Sequence, residues 1–331
     1  MLMLGKTSLG QILITRINKM TWEWIFVVIL GLMLLFLLVT YLVYLKVFHS
    51  DRKHSDNEYE LPKGKQYQDN KEIMYKLIDD MKSLKYEPIS IISYDGTKIS
   101  ARYYHVNDDA PIQIQCPGYK GNAIRDFCGG MKIAREYGHN CLIIEQRGHG
   151  ASDGKTISFG INESKDLLEW INYVVNRFGK NTKIVLAGVS MGSATIILAS
   201  KYGFVENVKC LIADCPYSSV KGIICKVCQD MKLPVKLVYP IIYCAALIYG
   251  KFNMKDGDVV EAAKSIDVPI LLIHGKADSL ISYQMSQDIY DVVNGEKQIE
   301  LFDNAEHGIS YIIDPNSYVK ITSTFLKKYD L

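Results

Sequence analysis

Short runs of nearly continuous apolar, β-branched character recur along the chain at residues 112–116, 141–145, 183–187, 209–214, 269–274 and 298–302. A strand buried on both faces reads this way, as the strands of a parallel sheet do. In most of the gaps between them the apolar positions recur every three or four residues instead. The clearest case is 163–178, with Leu167, Leu168, Ile171, Val174 and Val175 on one helical face. Residues 129–137, 191–201, 282–293 and 316–329 continue the series, and 71–86 places Ile73, Met74, Leu77, Ile78, Met81 and Leu84 on one face of a packing helix. Ahead of the alternation, two β-rich runs at 89–94 and 98–104 are joined by Asp95-Gly96-Thr97, a hairpin signal. The pattern predicts an α/β fold with a mainly parallel eight-stranded sheet, helices on both faces and an antiparallel opening.

Two stretches break this rhythm. Residues 25–45 carry no charge, and a helix of that length covers about 30 Å, the thickness of a hydrocarbon core. Trp22 and Trp24 flank one end and Tyr41 and Tyr44 the other, as interfacial aromatics do. The competing reading is a cleaved signal peptide, which needs a shorter apolar core and a small-x-small ending, whereas this run ends Tyr44-Leu45-Lys46. The expected organisation is an N-terminal segment 1–21, a transmembrane helix 22–45, a polar linker 46–70 and a globular domain 71–331. The second break is the long connection between the strands at 209–214 and 269–274. A structureless loop of that length is out of place in a compact domain. It contains an apolar stretch, 233–249, interrupted by Lys236 and Pro240. A second membrane span is one reading of it; a helical cap, 216–265, over the functional site is the expectation carried forward.

Composition changes little. Of 331 residues 48% are hydrophobic and 22% charged, with a formal net charge of +2, which is globular and gives no electrostatic footprint for nucleic acid. Among the eight cysteines, Cys225 and Cys228 form the one C-x-x-C. No second pair follows at zinc spacing and no redox-fold context surrounds it. Cys116, Cys141, Cys210 and Cys215 sit in or beside apolar runs, as free buried thiols do, and unpatterned cysteines fit a reducing compartment. Arg16 and Lys19 precede the apolar span while Lys46, Arg52, Lys53, Lys63 and Lys65 follow it, a count that leans towards a cytoplasmic domain. Met20 is an alternative start of translation, so orientation stays open, as does oligomeric state.

The chemistry lies at the ends of the predicted strands. Gly188-Val189-Ser190-Met191-Gly192 is G-x-S-x-G between a strand and a helix, a sharp turn that exposes a serine hydroxyl where small neighbours let the backbone pass. A serine nucleophile needs a base, and the base needs an orienting acid. The strand at 269–274 runs into Gly275-Lys276-Ala277-Asp278, and that at 298–302 runs into Asp303-Asn304-Ala305-Glu306-His307-Gly308. Serine, acid and histidine thus follow in the chain order this turn type demands, each after a late strand. Asp214 is the alternative acid. His149 is too early in the chain, and His274 precedes the acid and reads as a structural hydrogen-bonding group. Glu306 and Asp303 read as exposed loop charges. Two N–H groups are needed for a developing oxyanion: one from Met191, and one from the loop after 112–116. Pro117 has no N–H, which leaves Tyr119 as the choice.

Six motifs carry a resemblance that covers roughly residues 71–331: Ser93-Tyr-Asp-Gly-Thr-Lys98, Pro117-Gly-Tyr-Lys-Gly-Asn122, Glu145-Gln-Arg-Gly-His-Gly-Ala-Ser-Asp-Gly154, Gly188-Val-Ser-Met-Gly192, His274-Gly-Lys-Ala-Asp278 and Ala305-Glu-His307. The chain resembles the bacterial α/β-hydrolases of the serine aminopeptidase and lysophospholipase-like type, above all their membrane-anchored members. The resemblance implies an α/β-hydrolase fold and a Ser190, Asp278, His307 triad, and leaves the substrate open. Two departures stand out: Pro117 replaces the usual histidine before the oxyanion residue, and Glu145 replaces an aspartate.

The expected activity is hydrolysis of a carboxylic ester, acyl or lipid-like, through an acyl-serine. Ser190 attacks, His307 is the base, Asp278 orients it, and Tyr119 and Met191 hold the oxyanion. No cofactor or metal is implied. The expected partners are a small-molecule ester and the membrane. A peptidase or amidase using the same three residues is the second reading, and an inactive membrane-tethered binding protein the third.

Overall fold

Hydrogen bonding between strands joins β1 (Glu87–Ile92), β2 (Lys98–Tyr104), β3 (Ile112–Cys116), β4 (Asn140–Glu145), β5 (Ile184–Val189), β6 (Val208–Asp214), β7 (Ile270–Gly275) and β8 (Lys297–Phe302) into one sheet. The order is β1-β2-β4-β3-β5-β6-β7-β8. β1 and β2 form an antiparallel hairpin, β2 meets β4 antiparallel, and every later pairing is parallel. The computed structural model describes residues 9–51 and 57–331, with side chains from Thr21 onward. Arg52 and Lys53 of the charge count, and the side chains of Arg16, Lys19 and Met20, lie outside the described residues.

The helices before the insertion are α1 (Leu9–Val47), α2 (Lys65–Asp69), α3 (Lys71–Lys82), α4 (Ala123–Glu136), α5 (Ile161–Phe178) and α6 (Met191–Ala199). After β6 come α7 (Val220–Asp230), α8 (Val235–Ala245) with a π turn Ala246–Gly250, and α9 (Val259–Ala263); α10 (Gln284–Val292), α11 (Ser310–Ile313) and α12 (Pro315–Lys327) complete the chain. Two apolar layers flank the sheet. One contains Trp170, Leu186, Ile197 and Leu211, and the other Ile78, Met131, Ile143 and Leu271. Neighbouring residues of one strand fall in different layers, as a two-sided buried sheet requires.

The strands lie within two residues of the runs read from sequence. Helix α4 differs, beginning at Ala123 rather than residue 129. Asn122 caps it by accepting from the Arg125 N–H at 2.7 Å, and the Gly129-Gly130 pair lies inside the helix, where Gly129 makes room for the Tyr311 ring.

Three segments outside the sheet decide what surrounds its C-terminal edge. The final turns of α1 belong to the domain: Thr40, Tyr44 and Phe48 are buried, and the Phe48 ring lies edge-on to Phe159 and Phe252 at 5.9 and 5.2 Å. The 57–70 stretch, read as part of a linker, holds α2 and contacts the loop after β8 through Gln66 and Tyr67. The insertion after β6 packs α8 along α1. None of the residues lining the cavity around Ser190 comes from 216–265; Pro62, Gly64 and Tyr67 lie there instead.

Truncating Phe48 removes a fully buried ring from this junction. Phe48→Ala is expected to cost about 3–5 kcal/mol, read as a lowered unfolding midpoint of the detergent-solubilised full chain. A change below about 0.5 kcal/mol, the range of exposed sites, would mean that the end of α1 is not part of the domain core.

Candidate active site

The turn from β5 into α6 forces Ser190 to φ 56° and ψ −117°. This is a sparsely populated conformation for a residue with a side chain, and one that recurs where function requires it. Glycines permit it. A Cβ on Gly192 would run into the Cys116 carbonyl, and one on Gly188 into the backbone of Gly192. The Ser190 N–H donates to the Asp214 carbonyl at 2.9 Å, which ties the turn to the end of β6.

The Ser190 Oγ stands 2.9 Å from His307 Nε2, and His307 Nδ1 stands 2.7 Å from Asp278 Oδ2. Asp278 Oδ1 accepts the N–H groups of Leu280 at 2.9 Å and Ile281 at 2.8 Å. Burial opposes ionisation of Asp278, but hydrogen bonds from His274 and His307 outweigh it and hold the carboxyl well below the usual carboxylate range. An ionised carboxylate only accepts, so Nδ1 of His307 carries the proton and Nε2 turns its lone pair to the serine hydroxyl. That arrangement can draw a proton from Ser190 and stabilise the imidazolium that results.

His274 is fully buried. Its Nε2 faces two acceptors, Asp278 Oδ2 at 3.2 Å and the Ile281 carbonyl at 2.9 Å, so it carries the proton. Its Nδ1 lies 2.6 Å from Ser286 Oγ. Asp214, the alternative acid, hydrogen-bonds Tyr318 Oη at 3.1 Å and not His307. Burial pushes its pKa up to about 6. Asp303 pairs with Lys276 at 2.6 Å, and His149 is buried in its own loop.

Met191 follows Ser190 in the chain, and Tyr119 lines the same cavity as Ser190. Met191 opens α6, so its N–H has no carbonyl one turn back. In the loop after β3, the Gly118 N–H is taken by Asp126 Oδ2 at 2.9 Å. Of Pro117, Gly118 and Tyr119, Tyr119 therefore has the N–H left to offer. Its phenol donates to the Val47 carbonyl at 2.8 Å and its ring stacks on Phe159 at 4.9 Å. Gln146 Nε2 supports the same loop by donating to the Pro117 carbonyl at 2.6 Å.

Sequence reading missed the groups that hold this loop and the histidine. Asp126 was legible as an acid in the first turn of α4 only once that helix was started correctly. Tyr67 donates to the His307 carbonyl at 2.8 Å and carries no local signal. The Glu145–Gly154 motif serves structure: Arg147 grips Asp166 with two bonds of 2.6 and 2.7 Å and reaches Asp95 at 2.9 Å. Glu145 accepts from Arg102 at 3.1 Å and from the Ala151 N–H at 2.7 Å.

The donor atoms of Cys215, Asp278 and His307 lie within 4.8 Å of one another. Asp278 and His307 spend theirs on each other, and burial pushes the Cys215 thiol up, away from the thiolate a metal binds.

A family model described as "alpha/beta hydrolase fold" matches residues 116–234, and one described as "Serine aminopeptidase, S33" matches 249–312. The esterase Pf2001 of Pyrococcus furiosus superposes with a TM-score of 0.61 over 76% of this chain and 92% of its own, at 22% identity. The chain is an α/β-hydrolase by fold. The acylaminoacyl peptidase of Pyrococcus horikoshii matches this fold with a TM-score of 0.53 and 18% identity, over 76% of this chain and 43% of its own. YqkD of Bacillus subtilis (strain 168) is 26% identical over 261 residues, which is 78% of this chain and 84% of YqkD.

Folding raises the pKa of Asp214 from 3.8 to about 6, so the stability linked to this group is full below the unfolded value and is lost as pH rises through the folded one. Between pH 4 and 7 the wild type should lose roughly 2–3 kcal/mol relative to Asp214→Asn. Unfolding midpoints of both proteins across that range measure it, and parallel pH profiles would show that the carboxyl titrates normally.

Proposed function

We propose that the protein is a serine hydrolase that cleaves carboxylic esters through an acyl-serine intermediate. The observation that carries this reading is the continuous contact from Ser190 Oγ through His307 to an ionised Asp278, 2.9 and 2.7 Å. Ser190 Oγ attacks the ester carbonyl as His307 Nε2 takes its proton. The carbonyl oxygen becomes an oxyanion held by the N–H groups of Tyr119 and Met191, and Asp278 stabilises the imidazolium. Collapse breaks the ester C–O bond, and His307 returns the proton to the departing alkoxide. Water then adds to the acyl-serine with His307 again as base; the carboxylic acid leaves and Ser190 regains its proton. His274 is a positioning residue that helps keep Asp278 charged and in place.

Substrate enters a cavity of about 500 Å³ whose lining includes Val189, Ile212, Leu280 and Ile312 beside Ser190, room for an acyl group. Hydrolase neighbours described as esterases support the same class.

One observation favours an amidase or aminopeptidase as the second reading. Gln115 Oε1 and Asp214 Oδ1 are buried acceptors without a protein partner, and both residues line the cavity. An amino group on the substrate would satisfy either of them, and buried acceptors left unmet are costly.

We further propose that the hydrolase is anchored by α1. Thr21–Val47 is long and apolar enough to cross a membrane. Its last turns contribute Thr40 and Tyr44 to the buried interior, and Phe48 directly after it is buried as well, which argues against removal of the helix as a signal sequence.

Hydrolysis of p-nitrophenyl esters of increasing acyl length, beside the matching p-nitroanilides, tests the reading. The account expects ester turnover that falls at least about 10³-fold in Ser190→Ala. Faster cleavage of aminoacyl anilides than of any ester would move the assignment to the amidase. Equal inertness of wild type and variant on both series would leave the binding-protein reading.

A further inference from the structure

We propose that the helical insertion between β6 and β7 is itself seated in the lipid bilayer beside α1, so that the sheet edge carrying Ser190 faces the membrane. The proposal rests on reading α1 as a membrane helix, and it deepens that reading by naming a second lipid contact and a membrane-resident ester as substrate class.

Apart from Lys236 in its first turn, helix α8 with its π turn carries apolar and aromatic side chains on both sides. Ile242, Ala245 and Ala246 are buried against the domain. On the other side Leu237 is 70% exposed, and Leu247 and Ile248 are exposed with it, next to Leu233 and a 60% exposed Met231. A soluble surface rarely gathers so many large apolar side chains in one place.

The occupant follows from depth. Tyr249 Oη donates to the Leu37 carbonyl at 2.8 Å, and the Tyr249 ring meets Tyr41 at 5.2 Å and Tyr44 at 5.9 Å. The charge-free run of α1 is residues 25–45, and a hydrocarbon core needs about 20 such residues. Leu37 therefore lies inside the core, eight residues before the end of that run, or about 12 Å along the axis. A side chain that bonds to Leu37 brings its own helix to the same depth. α8 packs along α1, and lipid covers the exposed apolar side chains of both.

Charge agrees with this placement. Residues 216–251 hold five lysines, Lys221, Lys226, Lys232, Lys236 and Lys251, against a single acid, Asp230, which pairs with Lys226 at 2.6 Å and leaves the other four in excess. Lysines at the rim of an apolar face extend their stems along it and place the ammonium among headgroups.

Ser190 shares this side of the molecule. Its strand, and β6 from which the insertion springs, end at the same C-terminal edge of the sheet, and the loop after β3 is bonded there to the end of α1 through Tyr119 and Val47. An ester bound in lipid reaches the site without crossing open water.

The test uses the full chain in liposomes, with benzoylphenylalanine placed singly at Leu34, Leu237, Leu247 and Tyr202, irradiation, and mass spectrometry of lipid adducts. Tyr202 is exposed and lies shortly before β6 begins, at the N-terminal edge of the sheet. Adducts at 34, 237 and 247 but not at 202 are the expected result. Adducts at 34 with none at 237 and 247 would overturn the seated insertion while keeping the anchor. No adduct at 34 would remove the anchor and this proposal together.

Discussion

The backbone of one residue sets the geometry on which the candidate site depends. Ser190 sits at a positive φ of 56°, a conformation that costs on the order of 1–3 kcal/mol and survives only where its surroundings enforce it. Here the enforcement is dense. Its N–H is bonded to the end of β6, Ser193 Oγ lies within 2.7 Å of both the Gly188 and Asp214 carbonyls, and glycines at 188 and 192 let the strands and α6 close in. Because the turn is fixed to β6, the hydroxyl is fixed relative to the two later strand ends. Asp278 and His307 can then meet it by loops of only a few residues.

The second dependence is between the site and the segment that enters the domain. Tyr119, whose N–H is the candidate oxyanion donor, is held by the last turn of α1, and the His307 carbonyl is held by Tyr67 from the stretch that follows. These contacts span 72 and 240 residues of chain. Shape around Ser190 is thus set partly by residues that precede the sheet, and the insertion after β6 is free to lie against α1. The apolar helix of that insertion finds its partner in α1, some 200 positions earlier in the chain, and gives no lining residue to the cavity beside Ser190.

Much of this was legible in the chain because buried parallel strands leave unbroken apolar runs, and because the order serine, acid, histidine is a consequence of topology. Ser190, Asp278 and His307 were each marked by a strand end, and His307 contacts both of the others. His274 was read as a structural hydrogen-bonding group, and its bonds to Asp278 and Ser286 fit that part. What escaped had no local pattern. The start of α4 was hidden by Gly129-Gly130, although Asn122 and Asp126 offered a cap and a first-turn acid. The contacts of Gln66 and Tyr67 come from a polar, aperiodic stretch that reads as a linker by every short-range criterion. The course of the insertion was ambiguous because an apolar helix of its length looks the same under a protein cap, in a membrane or beside one.

The central claim is that Ser190 is activated by the histidine beside it. Incubating the folded, membrane-reconstituted chain with a fluorophosphonate and locating the adduct by peptide mass spectrometry tests that claim most directly. The account predicts a single phosphonylated residue, Ser190, and loss of labelling in His307→Ala. An unlabelled Ser190 in folded protein, or labelling that persists unchanged without His307, would contradict it.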